Sequence, residues 1–133
     1  MNPMRNILTI EDHAGIRKLI RITLQFEGHQ TLEAVDGDSG LAAALAQRPD
    51  LMLVDVMLPG RLDGLDVCRQ VRQHPTLSDL PIILLTALNS AQDRQKGFDA
   101  GANAYLVKPF RPLELIDTIS RVLGHAPSDA PPA

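Results

Sequence analysis

Short apolar runs and amphipathic segments alternate five times along this chain, and few folds accommodate that order. Asn6-Ile7-Leu8-Thr9-Ile10 is an apolar, partly β-branched run that ends in two acids, and it reads as a buried strand. From Ala14 to Glu27 the period changes. Ile16, Leu19, Ile20 and Leu24 share one helical face, with Arg17, Lys18, Arg21 and Gln25 elsewhere, and Gly28 stops the helix. His29 to Ala34 is a more polar strand suited to a sheet edge. Asp38 or Ser39 is the expected cap of a second helix carrying Leu41, Ala44 and Leu45, which Pro49 ends.

Leu51 to Val54 forms the next buried strand, ending at Asp55, and a Pro/Gly-rich loop from Leu58 to Gly64 leads into a helix from Leu65 to Gln73. The most apolar strand, Ile82 to Leu85, ends at Thr86. A helix from Ala91 to Ala100 follows, stopped by Gly101. Ala104 to Val107 is a fifth strand, ending at Lys108-Pro109, and the last helix runs from Pro112 to Leu123, with proline at its favoured first position. The expected architecture is an α/β, doubly wound, flavodoxin-like fold: a five-stranded parallel sheet in the order 2-1-3-4-5 with helices on both faces. Residues 1–124 are read as one domain. Residues 125–133 are read as a flexible Pro/Ala-rich tail or the start of a linker.

Composition enters mainly by exclusion. A net charge of −3 argues against direct nucleic-acid binding by this domain. The single cysteine, Cys68, rules out an intramolecular disulfide and fits a reducing compartment. No apolar run approaches the roughly 20 residues needed to span a bilayer. Met1-Asn2-Pro3-Met4-Arg5 lacks the features of a secretory signal, so the chain is read as cytoplasmic, with no membrane association.

In this fold ligands bind where the strand order reverses, beyond the carboxyl ends of the strands. The residues there are Glu11 and Asp12, Asp55, Thr86 and Lys108. Three carboxylates brought together repel unless a cation sits among them, and Mg²⁺ is the hard ion that one or two carboxylates plus waters usually hold. An aspartate can act as a nucleophile toward phosphorus, with the metal and a lysine neutralising charge. Each residue also has a structural explanation. Glu11 and Asp12 could cap a helix, Asp55 could accept loop hydrogen bonds, Thr86 could be a plain β-branched strand residue, and Lys108 could be solvated. Their coincidence at one rim favours a phosphoryl or metal site while leaving its chemistry open.

The same residues resemble the receiver domain of bacterial two-component response regulators. The likeness runs from Asn6 to Leu123. It is carried by Glu11-Asp12, Asp55-Val56-Met57-Leu58-Pro59 with Asp63-Gly64, Thr86-Ala87, Gly97 with Ala100-Gly101-Ala102, and Tyr105-Leu106-Val107-Lys108-Pro109-Phe110. The resemblance implies a phosphorylation-dependent signalling switch in which Asp55 is the phosphoacceptor, fed by a sensor histidine kinase or a phosphotransfer protein. It implies direct Mg²⁺ binding by Asp12, Asp55 and the backbone carbonyl of Met57, with Glu11 acting on the metal through water. Lys108 would pair with the phosphoryl group, Thr86 would hydrogen-bond it, and Tyr105 would turn inward as Thr86 moves. The resemblance also implies a cis Lys108-Pro109 bond, an isomer that only X-Pro bonds adopt cheaply.

The surface formed by the fourth helix, fifth strand and fifth helix would carry the signal to an output domain or partner protein, or to a second copy of the chain upon phosphorylation. The domain would catalyse its own phosphotransfer and autodephosphorylation without being an enzyme on a separate substrate. Gly97, inside the fourth helix, is read either as weakening a mobile helix or as allowing close packing. The resemblance departs at one place. Three residues, Gly60-Arg61-Leu62, separate Pro59 from Asp63-Gly64, where the family commonly has two. The addition bears on the loop's shape and docking face, and leaves the carboxylate cluster intact.

Three other functions fit the residues less well. A phosphatase of another aspartate-nucleophile family would want a second acid two residues after the nucleophile, where Met57 stands. A docking domain that has lost phosphorylation would not need the full set of Asp12, Asp55, Thr86 and Lys108. A flavodoxin-like electron carrier would want a Ser/Thr/Gly-rich phosphate loop after the first strand, and this chain has neither that loop nor any tryptophan.

Overall fold

A computed structural model describes residues 5–124; the tail read as residues 125–133 lies outside the described residues. Five strands and five helices alternate: β1 (Asn6–Ile10), α1 (Ala14–Phe26), β2 (Gln30–Ala34), α2 (Gly37–Gln47), β3 (Leu51–Asp55), α3 (Gly64–Gln73), β4 (Ile82–Thr86), α4 (Ala91–Asp99), β5 (Ala104–Val107) and α5 (Pro112–Leu123). The sheet is wholly parallel, in the order β2-β1-β3-β4-β5, as expected. The polar β2 forms one edge, and β3 and β4 are buried along their whole length.

Strand alternation sorts the core into two layers. Leu8, Ile10, Met52, Val54, Ile82 and Leu84 pack with Ala44 of α2 and with Val67, Cys68 and Val71 of α3. Ile7, Leu51, Leu53, Ile83 and Leu85 point the other way, onto Ile20 and Leu24 of α1 and Leu115 and Ile119 of α5. Each such fully buried aliphatic side chain contributes about 1.5–3 kcal/mol, so the sheet is gripped from both faces. Cys68 is buried and free, and no helix among the described residues is long and apolar enough to cross a membrane.

Local punctuation mostly follows the expected chemistry. Gly28 and Gly101 take positive φ just past α1 and α4, and the Lys108-Pro109 bond is cis. One expectation is corrected. The cap of α2 is Asp36, whose carboxylate accepts from the backbone of Ser39, while Asp38 lies in the first turn and pairs with Arg61. Asp36 wins because it has extended backbone geometry, with φ −147 and ψ 174, and stands three residues before the N–H it satisfies.

The longer loop between β3 and α3 is absorbed by packing. Leu62 is only 6% exposed, and a Cβ at Gly37 would stand 2.8 Å from Leu62 Cβ. The added length therefore tucks Leu62 against the start of α2. Close packing is also what Gly97 provides. A Cβ there would lie 3.0 Å from Leu84 Cδ1 and 3.1 Å from Tyr105 Cδ2.

Candidate functional site at the carboxyl rim of the sheet

The strand ends bring Glu11, Asp12 and Asp55 together, with a carboxylate oxygen from each lying within 4.8 Å of the others. Each position has a local cause. Glu11 follows β1 directly, and its N–H donates to Ala34 O at 3.0 Å, so edge strand β2 holds it in line. Its side chain is 1% exposed, whereas Asp12, one residue on, faces solvent. Asp55 closes β3 and is 5% exposed. Its Oδ1 accepts from the N–H of Met57 at 3.0 Å, and Met57 itself is largely exposed.

Lys108 enters from the far side of the sheet. Its Nζ lies 2.8 Å from Glu11 Oε1 and 3.3 Å from Asp55 Oδ2. One ammonium thus spans the two buried acids, a pairing that no sequence pattern displays. Burial pushes the Glu11 carboxyl up, and the neighbouring charge of Asp55 adds to that, against the pull of Lys108 and of the His13 N–H. Three carboxylates, of Glu11, Asp12 and Asp55, face the single ammonium of Lys108. Hard oxygen donors, excess negative charge and one solvent-facing carboxylate fit a partly hydrated Mg²⁺ ion.

Thr86 ends β4 and is buried. Its Oγ1 accepts from the Leu88 N–H at 3.0 Å. Tyr105 on β5 is half-buried, and its hydroxyl donates to Leu88 O at 2.7 Å. Burial and the charge of Asp93 push the phenol up, opposed by Thr86 and Arg94. The predicted site residues thus form two linked groups, the acids with Lys108 and the Thr86–Leu88–Tyr105 chain. Leu88 was not singled out as a connector from sequence. The available signal was its place two residues after Thr86, within reach of a local hydroxyl turn.

The rim also opens onto a cleft of about 410 Å³, lined by Met57, Leu58, Leu65, Leu88, Lys96 and Tyr105 among others. His13 is exposed and contributes its N–H to Glu11 Oε2, with no place for its ring in the cluster.

Known proteins place this arrangement. A family model described as the response regulator receiver domain matches residues 7–120. The chain is 41% identical over 120 residues to the DNA-binding dual master transcriptional regulator RpaA of Synechocystis sp., covering 90% of this chain and 49% of that protein. It is 45% identical over 125 residues to the response regulator MprA of Mycobacterium leprae, covering 93% of this chain and 54% of that protein. The chain therefore spans about half the length of the curated relatives it matches. Among solved structures it is similar to the receiver domain of the sensor histidine kinase PA1611 from Pseudomonas aeruginosa PAO1, described with a magnesium ion coordinated in the active site cleft. The TM-score is 0.83 at 34% identity, covering 92% of this chain and 99% of that one.

Proposed function

The chain belongs to the response regulator receiver domain family, whose members are phosphorylation-dependent switches of two-component signalling, and from that premise we propose that Asp55 is its phosphoacceptor. The observation that carries the assignment is Lys108, with its ammonium within 3.3 Å of a buried Asp55 whose own strand end adjoins two further acids. In the transfer, an Asp55 carboxylate oxygen bonds to the phosphorus of a phosphohistidine as the phosphorus–nitrogen bond breaks, and the imidazole leaves. Lys108 stands where it can neutralise a phosphoryl oxygen, and the Met57 N–H steadies the attacking carboxylate.

Asp12, Asp55 and the Met57 carbonyl are the proposed direct ligands of Mg²⁺, with Glu11 acting through water. When bound, the ion would neutralise the carboxylates and the incoming phosphoryl oxygens. Thr86 is the proposed hydrogen-bonding partner of the phosphoryl group, and Tyr105 the residue that responds. Phosphotransfer and autodephosphorylation are self-catalysed in this reading, with no separate substrate turned over.

The chain is proposed to act in the cytoplasm, with a sensor histidine kinase or a phosphotransfer protein as donor. Support for such a helical partner comes from α1, the helix that begins just past Asp12, where Leu19, Ile22 and Phe26 are exposed along one stripe. Residues 1–124 are the proposed receiver unit. The relatives' greater length, and the DNA-binding description of RpaA, support an output domain or partner that reads α4, β5 and α5. That face alternates Arg94 and Arg121 with Glu114 and Asp117, a pattern suited to pairing with a second copy upon phosphorylation.

The decisive test is intact mass after incubation with Mg²⁺ and acetyl phosphate, with Asp55→Asn alongside. The expected result is an added phosphoryl mass that requires Mg²⁺ and is lost in the variant. No added mass, together with no Mg²⁺ binding, would overturn the assignment.

A further inference from the structure

Helix α4 is weakly held by apolar packing, since Gly97 is its one buried residue. Polar ties hold its two ends instead. Past the C-terminal end, Arg72 Nε donates to Gly101 O at 2.8 Å, and its remaining nitrogens reach Ser78 O, Leu80 O and Asn103 Oδ1. At the N-terminal end, Arg94 does the equivalent work. Its guanidinium lies over the Tyr105 ring, 5.2 Å from the centroid, and its Nε and Nη2 donate to Asn89 Oδ1 at 3.1 and 2.9 Å. Tyr105 in turn donates to Leu88 O. Arg94 on α4, Leu88 and Asn89 on the loop after Thr86, and Tyr105 on β5 therefore close one ring of contacts.

From that ring we infer that Arg94 is a latch. It holds the loop after Thr86, together with Tyr105, in the arrangement of the unmodified protein, and a phosphoryl group on Asp55 has to open it. The inference rests on the assignment of Asp55 as phosphoacceptor. Thr86 Oγ1 is engaged by the Leu88 N–H, so drawing Thr86 toward a phosphoryl oxygen pulls on Leu88 and, through it, on Tyr105 and Asn89. Any stabilisation that the latch gives the unmodified arrangement is lost from the affinity for a phosphoryl analogue, because coupling between sites is reciprocal. Arginine suits the role where lysine does not. The planar fork can stack on the ring while directing two N–H groups to one oxygen, and a lysine ammonium cannot do both. Arg94 also faces Glu114 and Asp117 of α5 across a shared cleft, so a role as a simple surface charge must be separated from the latch.

The chain has one tyrosine and no tryptophan, so its intrinsic emission reports Tyr105 alone. Beryllofluoride, an acyl phosphate analogue, would be titrated with Mg²⁺ into the wild type, Arg94→Ala, Arg94→Lys and Asn89→Ala, with acrylamide quenching of Tyr105 measured on each. Arg94 is exposed, so its replacement spares the core. The expected result is affinity roughly threefold to tenfold tighter in Arg94→Ala, matched by Arg94→Lys and Asn89→Ala, with Tyr105 more quenchable in each. Combining Arg94→Ala with Asn89→Ala should add little to either change alone. Unchanged or weaker affinity in Arg94→Ala overturns the latch, and so does Arg94→Lys behaving as wild type, which would mark Arg94 as a surface charge. If the wild type itself fails to bind beryllofluoride, the assignment of Asp55 fails. The latch then stands or falls on quenching, and unchanged quenching in Arg94→Ala overturns it.

Discussion

Thr86 and Tyr105 hold the same residue from its two ends. The Thr86 hydroxyl accepts from the N–H of Leu88 at 3.0 Å, and the Tyr105 hydroxyl donates to the Leu88 carbonyl at 2.7 Å. A displacement of Thr86 therefore reaches Tyr105 through a single peptide unit on either side of one side chain. Thr86→Val keeps the volume and removes the hydroxyl. It should still accept the phosphoryl mass on Asp55, yet the change in Tyr105 emission upon phosphorylation should be largely lost. A wild-type emission change in that variant would show that the Leu88 link does not transmit the signal.

Glu11 supplies a pH dependence with a definite sign. Its carboxyl is raised from the ordinary value of 4.5, chiefly by burial. The folded chain thus keeps a proton that the unfolded chain has released. Stability from this group falls as pH climbs from about 4.5 through the raised folded value, and is flat above it. Glu11→Gln removes the ionisation. With Mg²⁺ chelated, the melting temperature of Glu11→Gln minus that of wild type should grow across this window and then level off. A difference that stays constant with pH would contradict the burial argument. Asp36 and Asp93 are lowered from 3.8 by their serine partners, so their contributions are lost only in more acidic solution and do not overlap this window.

Mg²⁺ binding should register as stability. A ligand at ten times its Kd stabilises the folded state by about 1.4 kcal/mol. Wild type should show a melting temperature that rises with Mg²⁺, and Asp12→Asn should show much less of that rise at the same concentrations. Without metal, Asp12→Asn relieves repulsion with Glu11 and Asp55, so the metal-free melting temperature should be no lower than that of the wild type. Equal Mg²⁺ responses in the two proteins would remove Asp12 from the ligand set.

Two glycines should respond oppositely to alanine. A Cβ at Gly64 would lie 2.2 Å from Asp55 O and 2.7 Å from Val56 Cα, against backbone that cannot yield. Gly64→Ala should cost more than about 2 kcal/mol and impair phosphorylation by displacing the Asp55 strand end. Gly15, in the first turn of α1, has open space around it, and Gly15→Ala should raise stability by up to about 1 kcal/mol. Denaturant titrations of both variants check the contrast, and a mild effect at Gly64 would mean that the loop can move away.

Much of this protein was determined by the sequence alone, because the responsible forces are local or periodic. The alternation of apolar strands and amphipathic helices specifies a parallel sheet covered on both faces, and right-handed crossovers leave few strand orders. Of the chemistry-bearing residues, Asp55 and Thr86 end strands, and Glu11, Asp12 and Lys108 follow directly after strands, so a parallel sheet brings all five to one rim. Where two residues could serve the same local purpose, the sequence did not decide. Asp36 and Asp38 both stand near the start of α2, and the backbone geometry at Asp36 selected the cap.

Tertiary structure alone decided which groups touch across long separations. Lys108 meets Glu11 at 2.8 Å, closer than its 3.3 Å to Asp55, across 97 residues of chain and although β1 lies farther from β5 in the sheet than β3 does. The joining of Arg94, Asn89, Leu88 and Tyr105 depends on how α4 rests on the sheet, a placement that its sparse apolar face does not prescribe. The physical reason is common to these cases. Secondary-structure periodicity is written in neighbours three or four residues apart, whereas side-chain contacts between elements depend on packing that only the assembled layers define.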